Sequence, residues 1–577
     1  VGGRPSICST DAPKEAALND DPNGPADLVF LGGTVYTVDA ARRWARAVAV
    51  RGGRIVAVGE EADVRPLTGP RTEVIQLGGR MLLPGFQDAH VHPPAGGLEL
   101  LQCALADAYS LEDYSRIIAS YAADHPDVEW ILGGGWSMDV FPGGTPRKEA
   151  LDEIVPDRPV FLPNRDGHSA WVNSRALELA GVTRNMPDPG DGRIERDPDG
   201  SPAGTLHDGA MQLVERLIPP TTQEQWEEGL RVAQRYLHSL GITAWQDAIV
   251  GGSYPALEAY LALADRGELT ARVVGALWWD RHRGEDQVDE LLAARARASV
   301  GRFRAPTVKV MQDGVIETFT AGVLEPYLGS DGRPTDNRGL SFIEPELLRR
   351  IVTRLDAEGF QVHFHAIGER AVRESLDAVE AARLANGMND LRHHIAHVQV
   401  IHPDDLPRFR ALGVTATIQP LWAMNEGQMV NLTLPVLGPE RSRWQYPFAS
   451  LLRSGAVLAG GSDWSVSSPN PLWEIHVAVN RTSFPGYAYG GDDRAEREPF
   501  LPEERIDLAA AIAAFTIGAA YVNHLDDRTG SIEVGKDADL VVLDRNPFDE
   551  PPHEIWRARV LLTLVAGQRV FADPTFS

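Results

Sequence analysis

The sequence predicts an α/β protein: a (β/α)8 barrel with a long insertion after its first strand, flanked by a small β-sandwich made from both ends of the chain. Three observations predict it. Eight apolar runs end in polar or ionisable residues and are mostly separated by helical stretches, the pattern of parallel strands and crossover helices. Short, glycine-broken strands crowd residues 27–80 and recur after residue 528. Between the first and second runs lies a gap, 93–240, too long for a loop.

In chain order, residues 1–26 are polar with several Pro and Gly and are expected to be a flexible segment. Residues 27–80 hold Leu28–Leu31, Thr34–Val38, Ala47–Val50, Ile55–Val58 and Val74–Leu77, the first part of the sandwich. Its second part, 529–577, carries Ala538–Leu543 and Val560–Val565.

The barrel, 81–528, takes its eight strands from the runs ending at His92, Asp247, Trp279, Asp313, His365, His397, Gln419 and Asp463. Eight strands close such a barrel. The first is expected to begin at Leu82-Leu83-Pro84-Gly85. Within the insertion, 129–135 and 159–164 are strand-like. A closing helix is marked by Trp226, Leu230, Ala233, Leu237 and Leu240 at helical spacing, by Thr222 with Gln225 as a capping box, and by Gly241 at its end.

The chain has 577 residues and a formal charge of -26, which repels nucleic acid and anionic membrane surfaces. Cys8 and Cys103 are far apart in dissimilar surroundings, so neither a disulfide framework nor a cysteine metal cluster is expected. No apolar run approaches the roughly 20 residues of a membrane helix. A soluble, cytoplasmic protein acting on a small molecule is expected, with a removed export signal and a homo-oligomer left open.

The chemistry-bearing residues fall at the strand ends. His90 and His92 are two apart in a strand, so both imidazoles share a face and can converge on one ion. His363 and His365 repeat the arrangement, and His393, His394 and His397 end a third run. A chance His-x-His is common among 16 histidines, but three strand ends carrying histidine fit a metal site better than scattered core residues. His363, His393 and His394 are alternatively partners behind such a site.

Lys309 sits in an otherwise buried-looking strand, Pro306–Met311. Burying a lysine is costly unless its amine has a role, either carboxylation to bridge two divalent ions or an ion pair with Asp313 or a neighbour. Asp463 ends the eighth run and is suited to binding a metal and shuttling a proton, or to capping a turn or helix. In the polar segment Asn164–Ser174, His168 is suited to polarising a carbonyl, with Arg165 and Asp166 equally suited to a loop ion pair. Trp136, Trp278 and Trp279 line a pocket or pack in the core. No Walker loop, dinucleotide fingerprint or serine elbow is present.

These residues together resemble the amidohydrolase superfamily, in the amidohydrolase family 3 branch that includes N-substituted formamide deformylase-like proteins. The carriers are Pro84–His92, Arg165–Ser174, Val308-Lys309 with Asp313-Gly314, Thr320-Ala321 with Pro326-Tyr327, His365–Gly368, His397, Gln419-Pro420, Gly461–Asp463 and Gly530–Leu540. The resemblance implies a distorted TIM barrel with a terminal β-sandwich and one or two divalent ions, zinc by expectation, held by His90, His92, Lys309, His365, His397 and Asp463. Lys309 would be carboxylated if two ions are held. Two departures stand out: Ala396 replaces the glutamate many relatives carry before the histidine matching His397, and Glu369 replaces the usual aspartate after His-Ala-Ile-Gly.

The expected reaction is hydrolysis of a C–N bond in an amide, N-acyl or N-formyl compound by metal-activated water, with His168 steadying the oxyanion and Asp463 protonating the departing amine. The alternatives are deamination, ester hydrolysis, or non-hydrolytic elimination or hydration at the same site, and a non-catalytic regulatory protein on this fold.

Overall fold

Eight apolar runs form eight strands of one sheet: β1 (Phe86–Val91), β2 (Ile242–Val250), β3 (Arg272–Trp278), β4 (Phe303–Met311), β5 (Gln361–Ala366), β6 (His394–His397), β7 (Thr415–Ile418) and β8 (Val457–Gly460). Each pairs in parallel with the next in sequence order. The computed structural model describes residues 24–106, 108–252, 256–487 and 493–576; the expected flexible segment lies outside them up to residue 23, as does Cys8.

The ring is nearly closed. β1 and β8 meet through the Asp463 N–H, which donates to His90 O at 2.7 Å, and a side chain at Gly461 would collide with the His90 backbone, 2.8 Å away. The expected barrel is therefore present, with its strands in the expected places. β1, β5, β6 and β7 are buried along their whole length, as strands with both faces covered must be.

One expected boundary shifts. Leu82-Leu83-Pro84 does not lead into β1; Met81–Pro84 is a strand of the flanking sandwich, antiparallel to Leu540–Leu543. Gly85 is the break, because a Cβ there would lie 2.4 Å from Thr243, while its N–H donates to Asp539 O.

The sandwich has two sheets. One runs Arg54–Gly59, Ala47–Arg51, Leu28–Leu31, Glu73–Gln76; the other runs Gln568–Ala572, Val560–Val565, Leu540–Leu543, Met81–Pro84, Thr34–Tyr36, Trp44–Ala45. Phe30, Val48, Val50 and Ile75 pack against Leu82, Leu540, Leu562 and Leu564 between them. Arg272 at the start of β3 ties the C-terminal segment to the barrel through buried ion pairs with Asp539 (2.7 Å) and Asp537 (3.0 Å).

The insertion builds its own sheet, ordered Gly192–Arg196, Pro202–Asp208, Ser169–Val172, Val160–Pro163, Ile131–Gly134, Cys103–Ala104. Its closing helix, Gln223–Ser239, starts with the expected reciprocal capping box of Thr222 and Gln225, worth about 1 kcal/mol. That helix seats the short helix Pro93–Glu99, whose N-cap is His92, so closely that a Cβ on Gly97 would lie 1.8 Å from Gly229 O. Among the described residues no helix is long and apolar enough to cross a membrane.

Candidate metal centre and active-site cavity

Parallel strands present their C-terminal ends on one side of a barrel, and loops there can carry chemistry on a rigid frame. A cavity of about 540 Å³ opens at these ends, and His90, His92, Lys309, His365, His397 and Asp463 all line it. His168 faces the same cavity from the insertion.

Three of these residues converge tightly: one ligand atom each from His90, His92 and Asp463 lies within 4.8 Å of the others. Asp463 Oδ1 is 2.9 Å from His92 Nε2 and 3.2 Å from His90 Nε2. The remaining three are arranged around this core and lie outside that tight group. Lys309 Nζ is 3.5 Å from His90 Nε2, His397 Nδ1 is 3.9 Å from Asp463 Oδ2, and the His365 ring centroid is 4.5 Å from that of His397.

The donor set suits a divalent ion. Imidazole nitrogens and a carboxylate are ordinary zinc ligands. Asp463 Oδ1 and His397 Nδ1 are buried without any partner in hydrogen-bonding geometry, the condition of ligand atoms waiting for an ion. Burial holds His90 down to about 3, and His365 and His397 well below the ordinary imidazole range, so all three rings are neutral and offer lone pairs. His397 and Asp463 also adopt left-handed backbone angles, φ 78° and 56°, which cost about 1–3 kcal/mol each and concentrate at functional sites.

A hydrogen-bond relay fixes which His90 nitrogen faces the centre. Gln361 Nε2 donates to the carbonyls of Arg392 and Val522, so Gln361 Oε1 is the acceptor that receives Gln246 Nε2. Gln246 Oε1 then accepts from His363 Nδ1 at 2.6 Å and from His394 Nε2 at 2.8 Å. His363 Nε2 is thereby left as an acceptor, and it takes the proton of His90 Nδ1 at 2.8 Å. The His90 Nε2 lone pair points towards Asp463. His363 and His365 alternate with Phe364 on β5 and share a face, but the lower one serves this relay and only the upper one lines the cavity.

Two further carboxyls place the loops. Asp88 accepts from the His90 N–H (3.0 Å), the Ser462 N–H (3.1 Å) and the Ser462 hydroxyl (2.6 Å), tying β1 to the turn that carries Asp463. Asp313 accepts from the N–H groups of Ile367, Gly368 and Gly322 at 3.0, 2.9 and 2.8 Å and so holds the turn after His365. Burial pushes both carboxyls up to about 7 against these bonds.

Lys309 is 2% exposed, and among the described residues it makes no ion pair with Asp313 or any other carboxylate. Burial draws its amine down to about 7. His168 differs from His90, His365 and His397. Burial acts to neutralise it, but the Asp208 carboxylate, 2.6 Å from Nδ1, and then Asp166 hold it up at about 9, so it is a cation. Arg165 and Asp166 do not pair with each other: Arg165 donates to the carbonyls of Gly135 and Ala106, and Asp166 accepts the His168 N–H. Gly135 and Trp278 line the cavity, whereas Trp136 and Trp279 are buried in packing.

His393 stands apart from the centre: Nδ1 accepts the Val362 N–H and Nε2 donates to Asp356 at 2.8 Å. Ala396 is fully buried on β6, and Glu369 accepts the Leu324 N–H at 3.2 Å. Gln246, Asp88 and Asp208, which hydrogen-bond to His363, to the His90 and Ser462 backbone and to His168, are residues that the sequence pattern did not single out. Gln246 and Asp88 at least sit in the runs Gly241–Asp247 and Gly85–His92, where a polar residue inside an apolar strand is a signal.

The sequence model of the amidohydrolase family matches residues 73–571. The chain is 33% identical over 560 residues to the protein LONG AFTER FAR-RED 3 of Arabidopsis thaliana, covering 95% of this chain and 92% of that one. It is 26% identical over 552 residues to the N-substituted formamide deformylase of Arthrobacter pascens, covering 94% and 97%. The crystal structure of an uncharacterised metal-dependent hydrolase from Pyrococcus furiosus is similar at TM-score 0.67 and 27% identity, covering 90% of this chain and 99% of that one.

Proposed function

The chain belongs to the amidohydrolase family, and from that premise we propose that it is a metal-dependent hydrolase cleaving a C–N bond in a small amide, N-acyl or N-formyl compound. The observation that carries the reading is the convergence of His90 Nε2, His92 Nε2 and Asp463 Oδ1, with an orphaned carboxylate oxygen, in the lining of a cavity large enough for a small molecule. The similarity to an N-substituted formamide deformylase supports the choice of bond.

His90, His92, His365, His397 and Asp463 would hold the ion, zinc by donor type, with Lys309 joining as a carbamate if a second is bound. Such an ion supplies Lewis acidity and lowers the pKa of a water. The rest falls to the chain. Asp463 takes a proton from the attacking water and passes it to the nitrogen as the C–O bond forms and the C–N bond breaks. The His168 imidazolium, its ring 5.8 Å from that of His365, balances the charge that develops on the carbonyl oxygen. Asp208 and Asp166 keep it charged, and Asp88 keeps Asp463 in place.

A panel of N-formyl amines, N-acyl amines, esters and aminopyrimidines, with acid, amine and ammonia release measured separately, tests the reading. Matched release of acid and amine from the first two groups is expected. Ammonia release alone overturns the amide assignment in favour of deamination, and turnover of esters alone overturns C–N cleavage.

A further inference from the structure

Glu426 has no part in that chemistry. It lies in the loop after β7, lines the cavity, and is 9% exposed. Among the described residues no hydrogen bond or ion pair reaches its carboxyl. Burial, and then the charges of Asp139 and Glu317, push it up to about 8, with Arg165 acting the other way. Arg165 itself is directed at the carbonyl oxygens of Gly135 and Ala106.

A carboxyl taken out of water without a partner is costly, and the cost is offset only if something arriving in the cavity supplies donors or positive charge. The surroundings favour charge. Glu317, bonded to the Thr433 hydroxyl, lines the same cavity, and the charges of both glutamates act on the buried Tyr446 phenol. Tyr446 and Trp422 add aromatic surface, which attracts cations. The net charge of -26 draws cations towards the protein and repels anionic substrates.

We propose that Glu426 recognises a cationic group of the substrate, an ammonium, amidinium or guanidinium remote from the bond being cleaved, so that the compounds hydrolysed are amides or N-acyl compounds bearing a positive charge. This rests on the hydrolase reading above and names its substrate class.

The test compares n-butylguanidinium with n-butylurea, a neutral analogue of the same shape, by calorimetry on the metal-loaded full chain and on Glu426→Gln. A guanidinium gains charge-assisted hydrogen bonds to a carboxylate, so it binds about tenfold or more tightly than the urea, and Glu426→Gln removes the difference. Equal binding of the two compounds by the unaltered protein overturns the proposal without recourse to any variant. A preference that survives Glu426→Gln overturns the assignment to Glu426. Turnover of N-formyl and N-acyl amines bearing a remote guanidinium is followed in parallel. Its absence contradicts the hydrolase reading and leaves the guanidinium preference to be judged by calorimetry alone.

Discussion

His363 Nε2 lies 2.8 Å from His90 Nδ1, and because Gln246 Oε1 already holds the proton on His363 Nδ1, His90 must present Nε2 to the cavity as a lone pair. Partners behind a ligating histidine fix its tautomer and raise its basicity. Gln246→Met removes the acceptor at nearly constant volume and leaves the His363 and His394 protons unpaired. Zinc affinity, measured by competition with a chromophoric chelator, is expected to fall about 10- to 100-fold. An unchanged affinity would show that the relay does not orient His90.

His168 is held as a cation by Asp208 and Asp166, whereas His90, His365 and His397 are held neutral by burial. Removing a donor to a developing oxyanion costs about 10²- to 10³-fold in kcat. His168→Gln is expected to lose that much in kcat with KM changed far less, and Asp208→Asn a smaller amount in the same direction. A change confined to KM would place His168 in substrate binding instead.

Asp356 supports the barrel away from the cavity. Burial alone would raise its carboxyl, but bonds from His393, Asn389 and Asn386 outweigh it and hold the group at about 2. A carboxyl whose folded value is depressed contributes stability above its ordinary range, and that contribution is lost as pH falls towards about 2. Asp356→Asn should destabilise the protein by about 3 kcal/mol at pH 7. In denaturant titrations the gap to the unaltered protein should narrow as pH falls from about 5 to 2; a constant gap would contradict the assignment.

Lys309 is buried, has no carboxylate partner among the described residues, and has an amine drawn down to about 7. An amine in that state is partly unprotonated at neutral pH and open to carboxylation. Under ¹³C-enriched bicarbonate, a carbamate carbon signal that disappears in Lys309→Arg is expected together with two ions per chain. One ion per chain with no such signal would rule out the carbamate at Lys309.

What the sequence revealed and what it hid follow from the range of the interactions. The eight strand ends were legible because each is a local apolar run, six of them stopping at an ionisable residue, and the Thr222–Gln225 box because it spans four residues. The start of β1 was misplaced because Met81–Pro84 and Phe86–Val91 read as one run, and only contact of Gly85 with Thr243 and Asp539 breaks it. Asp88 and Gln246 were passed over because their partners, Ser462 and His363, lie 374 and 117 residues away. Asp208 gains its role from a strand pairing, Ser169 with His207, that no local pattern encodes.

The most direct test of metal-dependent hydrolysis is turnover of an N-formyl or N-acyl amine by protein stripped of metal with a chelator and then reloaded with zinc. Turnover should vanish on stripping and return on reloading, and Asp463→Asn should lose turnover while still taking up zinc. Full turnover by the stripped, metal-free protein would contradict metal-dependent hydrolysis.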